Sequence, residues 1–281
     1  MSEQDNKNEP INELIAVGSE ITGGTLVTAI ILALGGAAAG PPGAILTSVA
    51  SPTIVYFLKK LGAEVKNRFL SHREEVRVGA TLTFAISKIQ ENLDNGKQIR
   101  QDDFFKKGVQ NRSAAEEVFE GVLIASQREH EEKKLRFYGN LVANIAFHPE
   151  INRAQANVLL RLGSSLSYTQ ICLLGLIANK DKYKLRQQNY ISKDERGKIQ
   201  VLNLKLEQTF VLQEIYDLYI KRILEINMSG LIFGKPIADL EYITPQNLTI
   251  KEIGLQLYNL MELSDIPKED FDSISQLLSD P

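Results

Sequence analysis

Residues 113–147 read SAAEEVFEGVLIASQREHEEKKLRFYGNLVANIAF, a helical pattern that points to a mainly α fold. It opens on Ser113, Ala114, Ala115 and Glu116, a spacing at which the serine hydroxyl and the glutamate carboxylate satisfy amide groups left free at a helix start. Val118, Phe119, Val122 and Leu123 then recur at helical intervals, and no breaker intervenes before His148-Pro149. Glu129 with Lys133, and Glu132 with Arg136, stand four apart with the acid first, the order that supports an exposed helix surface. The pattern predicts one helix across the whole stretch.

The same signature repeats outward. Asn152 with Gln155 and Ser167 with Gln170 have capping spacing before two shorter helices, with Gly163 and Asn179 as their expected stops. Upstream, Leu61, Val65, Phe69, Val76, Ala80, Phe84 and Leu93 predict one long helix from Lys59 to Leu93. Asn95-Gly96 ends it, because both residues tolerate the left-handed backbone that a helix end needs. Residues 59–179 thus read as a helical domain.

Downstream the character changes. Residues 180–205 hold eight basic and three acidic side chains and read as a basic linker, with a short hairpin at Arg196-Gly197-Lys198. An amphipathic helix is expected from about Glu207, with Val211, Ile215, Leu218, Arg222 and Ile226 on one face and Gly230 as its end. Residues 231–233 and 240–243 are expected as short strands around a Gly-Lys-Pro turn. Thr249 is expected to cap a helix with Ile253, Leu257 and Met261 inward, and a last short helix carries Phe271, Ile274 and Leu278. This order resembles a winged-helix module over residues 206–281.

Many such modules bind DNA, but residues 206–281 contain 13 acids and five bases. Cations that neutralise phosphates supply most of the affinity for DNA, and the helix from Ile250 to Glu262 offers only Lys251. A protein partner is the expectation there, and nucleic acid is disfavoured.

The largest departure from ordinary composition lies near the start. The chain is 24% charged, yet the 38 residues from Ile21 to Leu58 contain no Asp, Glu, Lys, Arg or His. Gly40-Pro41-Pro42-Gly43 divides this run into arms of 17 and 16 residues, Gly23 to Ala39 and Gly43 to Leu58. A span needs about 20 apolar residues with about 17 as a lower limit, so each arm is marginal. Both are crowded with Gly, Ala, Ser and Thr, which let helices pack closely in lipid. The expectation is a small-residue helical hairpin, with Leu26, Ile30, Leu34, Ile45, Val49 and Ile54 entering the membrane. Residues 1–20, with five acids and one lysine, read as a disordered acidic tail rather than a signal peptide. Behind the run, Lys59, Lys60, Lys66 and Arg68 are placed to meet anionic headgroups on the cytoplasmic side of the inner membrane. The alternative is a cytoplasmic protein in which 21–58 is a buried helical pair.

No grouping of residues points to catalysis. The Gly-rich turn lacks the Lys-Ser/Thr of a phosphate loop, and His72, His130 and His148 have no metal-ligand spacing. Asp102-Asp103 fits a capping or solvated role. Cys172 sits among apolar residues without a cation to activate it. The chain is read as a non-enzyme without cofactor or metal site, a candidate homo-oligomer, and mainly α in class.

The charged helix after an apolar Gly/Ala segment, the stretch Glu131 to Leu141 (EEKKLRFYGNL), and Gly230-Leu-Ile followed by Leu248-Thr249 resemble the Abi-alpha family of bacterial abortive-infection proteins over about residues 59–260. The resemblance implies a role in bacterial phage defence. It brings no catalytic residues with it.

Overall fold

The computed structural model describes residues 70–108, 111–193, 199–202, 204–226 and 240–280. The expected tail 1–20, the hairpin 21–58 and the start of the expected long helix lie outside the described residues. Those described form eight α-helices and two two-stranded antiparallel sheets, so the protein is mainly α. They fall into two compact units that divide between Ser165 and Leu166.

The first unit contains α1 (His72–Asp94), α2 (Ala114–Arg128), α3 (Leu135–Ile145) and α4 (Arg153–Ser165). Helix α1 begins at His72, not at Lys59. Ser71 has the extended backbone of a cap, φ −68° and ψ 159°, and its N–H donates to the Glu74 carboxylate at 2.7 Å. Asn95 and Gly96 end α1 as expected, with Gly96 at φ 76°. The reciprocal caps at Ser113–Glu116 and Asn152–Gln155 are also present. Two expectations fail. The stretch from Ser113 to Phe147 is two helices, broken at residues 129–134, and Gly163 lies buried inside α4 rather than stopping it.

Helices α1 and α3 form the most extensive packed pair in the unit. They approach to backbone contact at Gly139, where an added Cβ would meet Phe84 Cβ at 2.7 Å, Thr81 O at 2.8 Å and Ala85 N at 2.9 Å. Val78, Leu82, Ala85 and Ile89 pack there with Tyr138, Leu141 and Ile145 in the core. Asn92 donates across the same interface to Asn144 Oδ1 at 2.8 Å. A buried amide pair of this kind satisfies each partner without water.

Arg100 closes one end of this pair. Its side chain is 2% exposed and donates to the carbonyls of Ile145 at 3.3 Å, Pro149 at 3.2 Å and Ile151 at 2.9 Å, while pairing with Asp102. These carbonyls lie at and just beyond the end of α3, where helical partners run out. Arg100→Leu strips them of a charged donor and is expected to cost about 2 kcal/mol, read as a lower urea midpoint. Asp102 therefore orients a structural arginine and caps the turn at 103–105.

The second unit is built around α5 (Tyr168–Ala178), from Gln170 to Ile177 buried on every side. The reciprocal Ser167–Gln170 cap starts it and Asn179 ends it, as expected. The expected helical domain 59–179 includes this helix, whereas the structure groups it with the second unit. The reason is Gly175, whose bare Cα leaves room for the Phe271 ring, 2.8 Å from where a Cβ would stand. Cys172 is buried in the same helix.

Strand β1 (Ile191–Lys193) pairs antiparallel with β2 (Ile199–Val201), with the turn expected at 196–198 outside the described residues. Then come α6 (Leu206–Ile220), β3 (Leu224–Ile226), β4 (Leu248–Ile250), α7 (Glu252–Met261) and α8 (Lys268–Leu277). Helix α6 stops ten residues before Gly230, because Arg222 turns the chain at φ 62° into β3. Residues 240–242 form a 3-10 turn rather than a strand, and the expected strand 231–233 lies outside the described residues. Thr249 is paired opposite Glu225 in the sheet, so Lys251 precedes α7 in its place.

Candidate functional site

The first candidate is the break between α2 and α3. A run of charges at 129–134 looks solvated in the sequence, yet Glu129 and Lys134 are 6% and 5% exposed. The chain leaves helical geometry at Glu129, φ −74° and ψ 130°, which brings residues five apart into contact. Glu129 Oε2 lies 2.5 Å from Lys134 Nζ and accepts the Tyr138 hydroxyl at 2.5 Å. Its other oxygen accepts the N–H groups of His130 and Glu131, each at 3.0 Å. Arg77 of α1 donates to the Glu129 carbonyl, tying the break to the neighbouring helix.

A cleft of about 440 Å³ opens beside this cluster, lined among others by Arg128, Glu129, His130, Lys134, Tyr138 and Ser164. His130 is exposed at its rim, as the sequence implied. The chemistry of the cluster is limited by its own hydrogen bonds. Burial pushes the Glu129 carboxyl up, but Lys134, Tyr138 and the backbone N–H of Glu131 outweigh it and hold the group below its usual range. Burial first, then Glu129, pushes the Tyr138 phenol far above its ordinary value. A carboxylate held low is a weak base, and a phenol held high is a weak nucleophile. The arrangement is built to hold the break in shape.

Other carboxylates of the unit are held low as well. Glu74 is lowered to about 2, first by the Ser71 hydroxyl, and Arg153 lowers Glu117. Arg100 lowers Asp102, and His148 lowers Glu150. For each, the folded value lies below the unfolded one, so the stabilisation is complete above the ordinary carboxyl range and is lost as pH falls through the folded values. Thermal melts should therefore show falling stability from about pH 4.5 downward, and Glu129→Gln should show a shallower acid dependence.

A second cleft, in the other unit, is lined by Asp181, Tyr183, Lys184, Gln187, Gln246 and Asp280, with Arg186 paired to Asp280 beside it. Its charges are mixed and select no one ligand class.

The remaining feature is a surface. Helix α6 buries Val211, Leu212, Ile215 and Leu218, and on its opposite side exposes Leu206, Phe210 and Ile220 by 65%, 62% and 59%. The expected face of this helix is the inward one, and the outward one is an addition from the structure. Leu206, Phe210 and Ile220 fall on one side of a helix, so the spacing was there to be read.

Comparison with family models, with curated proteins and with solved structures returned no match. Among the described residues no group of His, Cys, Asp and Glu is placed to hold a metal, and no helix is long and apolar enough to cross a membrane. Leu26, Ile30, Leu34, Ile45, Val49 and Ile54, with Lys59, Lys60, Lys66 and Arg68, all lie outside the described residues.

Proposed function

We propose that this is a non-enzymatic, membrane-associated bacterial protein that acts through its apolar segment, with the helical units on the cytoplasmic side. The observation that carries the reading is the 38-residue run without a charged side chain, followed directly by Lys59, Lys60, Lys66 and Arg68. Within it, 21–58 is a small-residue hairpin in contact with lipid. The resemblance to Abi-alpha proteins supports a defence role in which the segment perturbs the inner membrane. The hydrogen-bonded saturation of Glu129 supports the non-catalytic part of the reading.

Cell fractionation tests it. Wild-type protein should pellet with membranes and resist extraction by salt. Ala33→Asp or Val49→Lys places a charge mid-arm at a cost of about 2.5 to 3.5 kcal/mol and should move most of the protein to the soluble fraction, with melting of residues 70–280 unchanged. Lys59→Gln with Lys60→Gln should weaken attachment more mildly, by about 1 kcal/mol per cation. Wild type found wholly in the supernatant, with Ala33→Asp aggregating, would establish 21–58 as soluble core instead.

A second reading is favoured by the exposed apolar face of α6. On it the protein is a soluble adaptor whose second unit, winged-helix-like in its order of helix, paired strands and helix, binds a protein partner. The 13 acids against five bases over residues 206–281 support a protein rather than DNA as that partner.

A further inference from the structure

Helix α6 has two apolar sides, and among the described residues one is buried while Leu206, Phe210 and Ile220 of the other are exposed. Leu206, Phe210, Gln213, Asp217 and Ile220 succeed one another at alternating intervals of four and three, the spacing of a coiled-coil seam. All but Asp217, which is half-buried, are exposed. The inward residues Val211, Leu212, Ile215 and Leu218 lie on the opposite side, while within the seam Gln213 donates along the helix to Asp217 at 2.9 Å. A helix apolar on both sides is ordinarily covered on both.

We infer that the outward face of α6 is a self-association surface, on which α6 of a second copy packs antiparallel. The composition of the seam selects this occupant and this direction. Side by side in parallel, Asp217 would face Asp217, two carboxylates in one layer of the seam. Run antiparallel, Phe210 faces Ile220 of the second copy, and Gln213 faces Asp217 of the second copy, an amide against a carboxylate. The charges flanking the seam agree. Glu207 stands near the start of the helix and Lys221 at its end on the same flank, so an antiparallel pair sets each beside the other's opposite charge. Glu214, midway along that flank, would meet its own copy, but its carboxylate accepts the Ser167 hydroxyl at 3.1 Å and is turned toward its own unit. The two-fold arrangement repeats one contact set on both copies, as a closed dimer requires. One helix of 15 residues, about 22 Å long, makes a small interface, so the association is weak and concentration-dependent.

The inference stands apart from the membrane reading, which vesicle and fractionation experiments address separately. Sedimentation velocity of the full chain over a wide concentration range, in one fixed buffer, should show monomer giving way to dimer. Phe210→Glu should weaken the dimer at least tenfold with an unchanged circular dichroism spectrum, since the side chain is exposed. Glu207→Lys and Lys221→Glu should each weaken it severalfold, and the two together should restore it. A wild type monomeric throughout would overturn the inference. So would a dimer insensitive to Phe210→Glu, or a charge-swapped pair that fails to recover. Loss of binding to anionic vesicles by Phe210→Glu in a monomeric wild type would assign the face to lipid and overturn it equally.

Discussion

Glu129→Ala is expected to destabilise the first unit by about 3 to 5 kcal/mol, the largest effect of any single substitution considered for this chain. The change leaves Lys134, 5% exposed, with the Glu131 carboxylate at 3.7 Å and the Tyr138 ring at 5.6 Å in place of its close partner. It also removes the acceptor of the buried Tyr138 hydroxyl and of two backbone N–H groups. An uncompensated buried ammonium is what makes a broken pair so costly. The double variant Glu129→Leu with Lys134→Met removes both charges together and should lose less than Glu129→Ala does. Urea denaturation of the wild type, Glu129→Leu, Lys134→Met and the double variant separates the outcomes. A double variant as unstable as the sum of its parts would show that the two side chains contribute independently.

Gly139→Ala is the second large expectation, at about 2 to 3 kcal/mol of net loss. Alanine favours helix over glycine by up to about 1 kcal/mol, so propensity alone predicts a gain. Packing reverses the sign. The new methyl would stand within 3 Å of the Thr81 carbonyl and the Ala85 nitrogen, both backbone atoms of α1 that cannot step aside. Gly121→Ala provides the contrast. Its nearest neighbour is the tip of Leu160, a flexible side chain, and the substitution should be close to neutral. Comparing the urea midpoints of the two variants isolates the backbone contact between α1 and α3.

What could be read without coordinates, and what could not, follows from range. Ser113 with Glu116, Asn152 with Gln155, and Ser167 with Gln170 were legible because each pair is closed within one helical turn. The same local logic placed Asn95 and Gly96 correctly. The break at Glu129 was not legible, because EHEEKK fits a solvated helix surface as well as it fits a buried pair. Tertiary burial distinguishes the two, and the Arg77 contact from α1, 52 residues upstream, is part of it. Gly163 and Thr249 misled for a related reason: a residue that suits a helix end also serves where tertiary packing or strand pairing claims it. The assignment of α5 to the second unit likewise needed Phe271, nearly a hundred residues away. In the candidate surface, the outward face of α6 is legible locally, since Leu206, Phe210 and Ile220 lie on one side of a single helix.

The pairing of α1 with α3 also sets a schedule for synthesis. The chief packing partner of α1 is complete only when Ile145 has been made, 87 residues after Leu58. At about 5 to 20 residues per second, this leaves the apolar run 21–58 on the growing chain for roughly 4 to 17 seconds before the first unit can close. During that interval any targeting factor or chaperone meets the run first, with no folded neighbour in competition. The destination of the nascent chain is therefore open to decision well before its first unit has folded.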